Sequence, residues 1–185
     1  MPELRSPVDE NDHIIGDPAA RVTLLEYGDY QCPHCQAAQP VVTGLLRRFG
    51  RDLRLAYRHF PIVSIHPFAE PAAEAAEYAG SMGHFWEMHE ALFDNGHRLS
   101  LPTLLLVTAQ IGLSPEGLRQ ALVNRSFAAK VEQDFAGGVR SGVNGTPCFF
   151  VNGRRHDGPH DALTLGAAID EAMRGAPAAR LRTRA

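Results

Sequence analysis

The stretch VTLLEYGDYQCPHC, residues Val22 to Cys35, decides how the rest of the chain is organised. Val22 to Tyr27 is a short apolar run rich in strand formers, and Gly28 to Gln31 reads as loop, so a strand ends just before the cysteines. From Pro33 onward the apolar positions Ala38, Val41, Val42, Leu45, Leu46 and Phe49 recur at helical spacing. Pro33 suits a first helical turn, where its missing N–H would have no partner in any case. Cys32 therefore falls at the helix N-cap, where backbone N–H groups and the positive end of the helix dipole stabilise a thiolate, and a protonated His34 imidazole adds charge. Cys32 is the expected nucleophile. Cys35, one turn further in, faces the body of the domain as the resolving thiol.

Two thiols at this spacing also resemble half a zinc site. His34 and Cys148 are the nearest further ligands and the sequence nominates no fourth, so neither a metal nor another cofactor is expected.

Other residues turn the motif into a resemblance. Glu26 lies six residues before Cys32, Pro40 interrupts the following helix eight residues after it, and Gly145-Thr146-Pro147 precedes the apolar run Cys148 to Val151. The C-P-H-C dithiol together with Gly145 to Gly153 (GTPCFFVNG) resembles the DsbA-like thiol-disulfide oxidoreductases of the thioredoxin fold, over about His13 to Met173. The resemblance implies an α/β thioredoxin fold with a helical insertion, at about residues 64–143, between a β-α-β half and a cis-proline β-β-α half. It implies a domain over residues 13–175, with 1–12 and 176–185 as flexible termini.

By the same resemblance Thr146-Pro147 is a cis peptide facing the dithiol, and Pro147 shapes the groove for an extended substrate segment. The bland alternative is a trans proline opening an edge strand. Glu26 would be a buried acid beneath Cys35, its pKa raised by desolvation so that it carries a proton to or from that thiol; the alternative is a solvent-facing carboxylate at the strand end. Relatives often carry a cation near that acid in the region of Arg58, and no role is assigned to Arg58 on that ground. The implied activity is thiol-disulfide exchange with protein or peptide partners, in either the oxidase or the reductase direction, with a separate redox partner regenerating the dithiol. The alternatives are a redox-inactive peptide-binding module using the groove beside Pro147 and a thiol metal-binding protein.

The rest of the chain fits this arrangement. Leu53 to Phe60 reads as a second strand, returning after the first helix. Helical patterns follow at Pro67 to Met82, His84 to Phe93, Leu101 to Ile111, Ser114 to Val123 and Phe127 to Val143. Asn152-Gly153 signals a tight hairpin from Cys148–Val151 to a strand around Arg154 to His156, and Ala162 to Arg174 supplies a closing helix.

The 185 residues, 44% hydrophobic and 21% charged, suffice for one domain with a sizeable core. A net charge of -3 gives no electrostatic case for nucleic acid, and the basic tail with Arg180, Arg182 and Arg184 reads as a solvated end. No stretch is long enough to span a bilayer, and Met1 to Asp12 lacks a signal-peptide pattern, so the sequence as written is expected to be a cytoplasmic monomer. Removal of a signal upstream would instead place it in the periplasm.

Cys148 follows Pro147 on a strand, and alternation turns it to the opposite face, as a small buried residue or a third redox thiol. His84 with His89, and His156 with His160, lack metal-site spacing, and His59 and His66 are expected to satisfy local backbone groups. Trp86 is expected to fill the core of the helical insertion.

Overall fold

The computed structural model describes residues 3–175. Its sheet has five strands in the order β1-β3-β2-β4-β5. The two central strands, β2 (Val22–Gly28) and β3 (Leu53–His59), run parallel and are joined by helix α1 (Pro33–Phe49). Each is buried along nearly its whole length because both faces of the sheet are covered, which is why VTLLEYG and LRLAYRH read as apolar runs rather than clean alternations. Strand β4 (Cys148–Val151) pairs antiparallel with β2, and the two-residue β5 (Arg154–Arg155) pairs with β4. Between them Asn152 and Gly153 take positive φ values of 46° and 81°, the left-handed pair a two-residue hairpin needs.

Five helices lie between β3 and β4: α2 (Ala69–Gly80), α3 (Phe85–Asp94), α4 (Leu101–Gln110), α5 (Pro115–Val123) and α6 (Ala128–Arg140). Helix α7 (Ala162–Gly175) closes the described chain. Ser100 and Ser114 cap α4 and α5 by accepting from the backbone N–H of Thr103 and Gly117, each with a proline in the first turn.

The core falls into three clusters. Val42, Leu45, Leu24, Phe149, Leu165 and Ile169 fill the space between the sheet and helices α1 and α7. Leu25, Tyr27, Ala56, Phe60, Cys148 and Phe150 lie together on the other face. Met88, Leu92, Leu104, Val107 and Leu118 of the inserted helices pack with Tyr30, Tyr57 and both dithiol cysteines, so the insertion's core reaches the dithiol itself. Trp86 packs against the first and third of these clusters, at the seam between the insertion and the sheet half.

Several expectations are corrected here. The first strand is not the expected Val22–Tyr27 but a short edge strand, β1 (His13–Gly16), antiparallel to β3; its four residues are half-exposed and too few to show an alternation. Helix α1 continues through Pro40 without a break. Residues 3–12, expected to be a flexible terminus, are tied down: the Leu4 N–H donates to the Gly153 carbonyl at 2.8 Å, and the buried Arg58 guanidinium grips the Asp12 carboxylate at 2.6 and 2.8 Å and the carbonyls of Ser6 and Pro7 at 2.7 and 2.9 Å. The basic tail at 176–185 lies outside the described residues.

Candidate active site

Cys32 is the N-cap of α1 and Pro33 stands in its first turn. Both dithiol cysteines are free thiols, Cys35 fully buried and Cys32 4% exposed. The Cys32 thiol is lowered to about 5: hydrogen bonding to the Cys35 side chain is the largest cause, and the Thr146 side chain and the backbone N–H groups of Cys35 and His34 help it outweigh burial. His34 thus acts on the thiolate through its main chain, while its side chain stands exposed. Cys35 goes the other way, pushed well above the usual thiol range by burial, with the neighbouring Cys32 and Glu26 adding to it.

The loop Gly145–Pro147 brings the second half of the site to the first. Thr146-Pro147 is a cis peptide. The Cys32 Sγ donates to the Thr146 carbonyl at 3.4 Å, and the buried Thr146 hydroxyl has no partner within hydrogen-bond distance. Asn144, Gly145, Thr146, Pro147, Arg155, His156 and His160 line a cavity of about 320 Å³ beside this loop. It is the space next to Pro147 into which an extended chain could be laid.

Glu26 is fully buried on β2. Burial raises its pKa to about 8, opposed by the Gln39 amide, which lies 3.5 Å from both carboxylate oxygens, and helped by the nearby Cys32. Arg58 does not reach this acid. In the parallel register Glu26 stands beside Tyr57 and Tyr27 beside Arg58, so the guanidinium is on the opposite face, donating to the Tyr27 hydroxyl at 3.1 Å.

Cys148 faces away from the dithiol among Leu25, Tyr27 and Phe150, its thiol raised by burial. His59 and His66 bind side-chain carboxylates rather than backbone: His59 meets Glu77 at 2.9 Å and His66 meets Asp29 at 2.7 Å. His84 contacts exposed Glu87, and His89 is buried against the Tyr30 hydroxyl at 3.0 Å. Among the described residues His59, Glu77 and Asp134 could together offer a metal three ligand atoms within 4.8 Å of one another. The Lys130 ammonium lies 2.6 Å from Asp134 and His59 Nε2 meets Glu77 at 2.9 Å, while the buried His59 Nδ1 has no hydrogen-bond partner.

Sequence reasoning missed Asp29, Gln39 and Tyr30. Asp29 had a local signal, since its carboxylate accepts from the N–H two residues on, at Gln31, an Asx-turn leading into a helix. Gln39 had none beyond lying on the same helix as the dithiol.

The sequence profile of a family described as thioredoxin matches residues 8–171. The chain belongs to the thioredoxin family. Within it, this thioredoxin-family protein has the architecture of the DsbA-like oxidoreductases. It is 31% identical to a thioredoxin-like oxidoreductase from Silicibacter pomeroyi DSS-3, with a TM-score of 0.78 over 91% of this chain and 95% of that one. BdbD from Bacillus subtilis, in its oxidised form, shares the fold with a TM-score of 0.84 at 23% identity, over 91% of this chain and 96% of that one. In sequence, 98% of the chain matches a protein of Salinispora arenicola named Na(+)/H(+) antiporter NhaA 1, at 43% identity over 183 residues. The chain spans 28% of that relative's length. No helix among the described residues is long and apolar enough to cross a membrane.

Proposed function

We propose that this protein exchanges disulfides with protein or peptide thiols through Cys32 and Cys35, with Cys32 as nucleophile and Cys35 as resolving thiol. The observation that carries the reading is the split between two adjacent thiols: Cys32 lowered to about 5 at a helix N-terminus, Cys35 buried and raised. Thiolate is the attacking species in exchange, and the acidic sulfur is also the better leaving group, so the substrate-facing position belongs to Cys32.

In the oxidising direction a substrate thiolate attacks Cys32 Sγ of the Cys32–Cys35 disulfide. The Cys35 sulfur leaves with the electron pair and takes a proton. A second substrate thiolate then attacks the substrate sulfur of the mixed disulfide and releases Cys32 as thiolate, so that two electrons pass from substrate to enzyme. Glu26, neutral over most of the physiological range because of its burial and close enough to Cys35 to raise its pKa, is the acid we assign to give Cys35 its proton and recover it in reverse. Thr146 and Pro147 border the groove in which the substrate chain would lie, and Pro33 presents the helix end that activates Cys32. A stabilised Cys32 thiolate favours the reduced enzyme, which makes the disulfide the stronger oxidant, so we assign the donor direction. That direction suits an extracytoplasmic setting with a separate partner that reoxidises the dithiol.

Equilibration of the protein in a glutathione series tests this. The expected potential lies above thioredoxin's value of about -270 mV. A value at or below it reverses the direction, and no reversible two-thiol transition in wild type overturns the exchange reading. Cys32→Ser should abolish exchange, while Cys35→Ser should accumulate the mixed disulfide.

A further inference from the structure

The loop that precedes the dithiol is held by a carboxylate with no exchange role of its own. The Asp29 side chain is 0% exposed, and its two oxygens take three donors: the Gln31 N–H at 2.8 Å, the Ile62 N–H at 2.9 Å and the His66 Nδ1–H at 2.7 Å. Two of those donors belong to the connection between β3 and α2, and Gln31 adds a third tie to it by accepting from the Phe68 N–H at 2.8 Å. The Asp29 main chain, meanwhile, brackets both cysteines. Its carbonyl accepts from the Cys32 N–H at 3.1 Å, and its own N–H points at Cys35 Sγ from 3.5 Å.

We propose that Asp29 and His66 are a positioning pair for the dithiol, fixing the Asp29 backbone N–H where it meets the Cys35 sulfur as that sulfur takes on negative charge during exchange. The proposal rests on the exchange reading above. The step it concerns is resolution. Cys35 loses its proton, its sulfur attacks Cys32 Sγ of the mixed disulfide, the Cys32–Cys35 bond forms, and the substrate sulfur leaves with the electron pair and takes up a proton. Among the charge-stabilising contacts of the buried Cys35 sulfur, the Asp29 N–H is a fixed dipole that needs no rearrangement when the charge appears. It acts only while its loop is held in register, and the buried carboxylate with its histidine partner does the holding. His66 is 14% exposed at its side chain, so it closes this arrangement from the solvent side.

The test mixes reduced protein with glutathione disulfide, quenches with acid, and follows the mixed disulfide at Cys32 by mass. In His66→Ala the resolution step should slow about threefold to tenfold, the factor that loss of one well-placed hydrogen bond gives. Alkylation of Cys32 should stay within about twofold of wild type, since that step does not use the contact. His66→Asn, whose amide N–H can take the place of Nδ1–H, should recover the rate. Asp29→Asn, which keeps the bulk and an acceptor for Gln31, is the second variant should His66→Ala not fold, and it should slow the same step. Unchanged resolution in these variants, with only a lower melting temperature, overturns the proposal and makes the pair a loop anchor. Absence of any mixed disulfide in wild type overturns the exchange reading with it, which separates the two failures.

Discussion

Glu26 and Glu77 are both buried glutamates of one domain, and their surroundings drive them to opposite states. Glu26 is fully buried with the Gln39 amide 3.5 Å from both of its oxygens, and burial outweighs that contact so that the carboxyl rises to about 8. Glu77, on α2, is also pushed upward by burial, yet the His13 and His59 ring nitrogens, each 2.9 Å from the same oxygen, outweigh this and hold it well below the usual carboxylate range. Beside them His89, buried among aromatic rings and hydrogen-bonded to the Tyr30 hydroxyl, is driven down to about 3 by burial first and by His59 and His13 next. Burial alone therefore sets no charge here. The partner does, and the acid held only by a neutral amide is the one beside the dithiol.

The contrast breaks most visibly in the pH dependence of stability. A carboxyl whose native pKa is raised binds more protons in the folded state between its two pKa values, so stability falls as pH rises from about 4.5 to about 8 and is level beyond. In a Cys32→Ser background, which lacks the thiolate that titrates over the same range with the opposite sign, unfolding by urea should show a loss approaching about 5 kcal/mol at most, roughly the shift converted at 1.36 kcal/mol per pKa unit. Glu26→Leu should remove that slope; a slope that survives the substitution would deny that Glu26 is its source. Glu77 works in the other direction, contributing stability above about 4.5 that is lost as pH falls below it. Glu77→Leu leaves the buried His59 and the half-buried His13 imidazoles without their acceptor and should cost about 3 kcal/mol at pH 7, read from the shift of the urea midpoint. The smallest effect belongs to Gln39→Leu. Removing the one amide that favours ionised Glu26 should move the midpoint of the pH–stability curve further upward, a difference of about 0.5–1 kcal/mol at pH 9.

What was legible in the sequence was local. The strand before Cys32, the helix after it, the proline in its first turn and the Asn152-Gly153 hairpin are each written in a handful of neighbouring residues, and the chain folds them as read. Glu26 and Thr146-Pro147 were reachable through the family resemblance, because their offsets from the dithiol recur as a set. The Glu77 site was not legible: His13 and Glu77 are 64 positions apart, and one end of the pair lies on an edge strand too short and too exposed to announce itself. The same distance hid the bond between Asp29 and His66, 37 positions apart, and made His66 read as a loop histidine with only backbone to satisfy. Arg58 shows the reverse case, a residue placed near the acid by analogy and turned from it by a one-residue step in strand register.

Trp86 is the only tryptophan in the chain. It packs at the seam where the inserted helices meet α1, α7 and the sheet, its indole edge-on to Phe85 and His89 with ring centroids 5.1 and 5.0 Å away. Its emission is therefore an optical gauge of that seam alone. If the two halves part before the rest of the molecule melts, the colour of Trp86 fluorescence will shift ahead of the circular dichroism, and the protein will report the order of its own unfolding without a label.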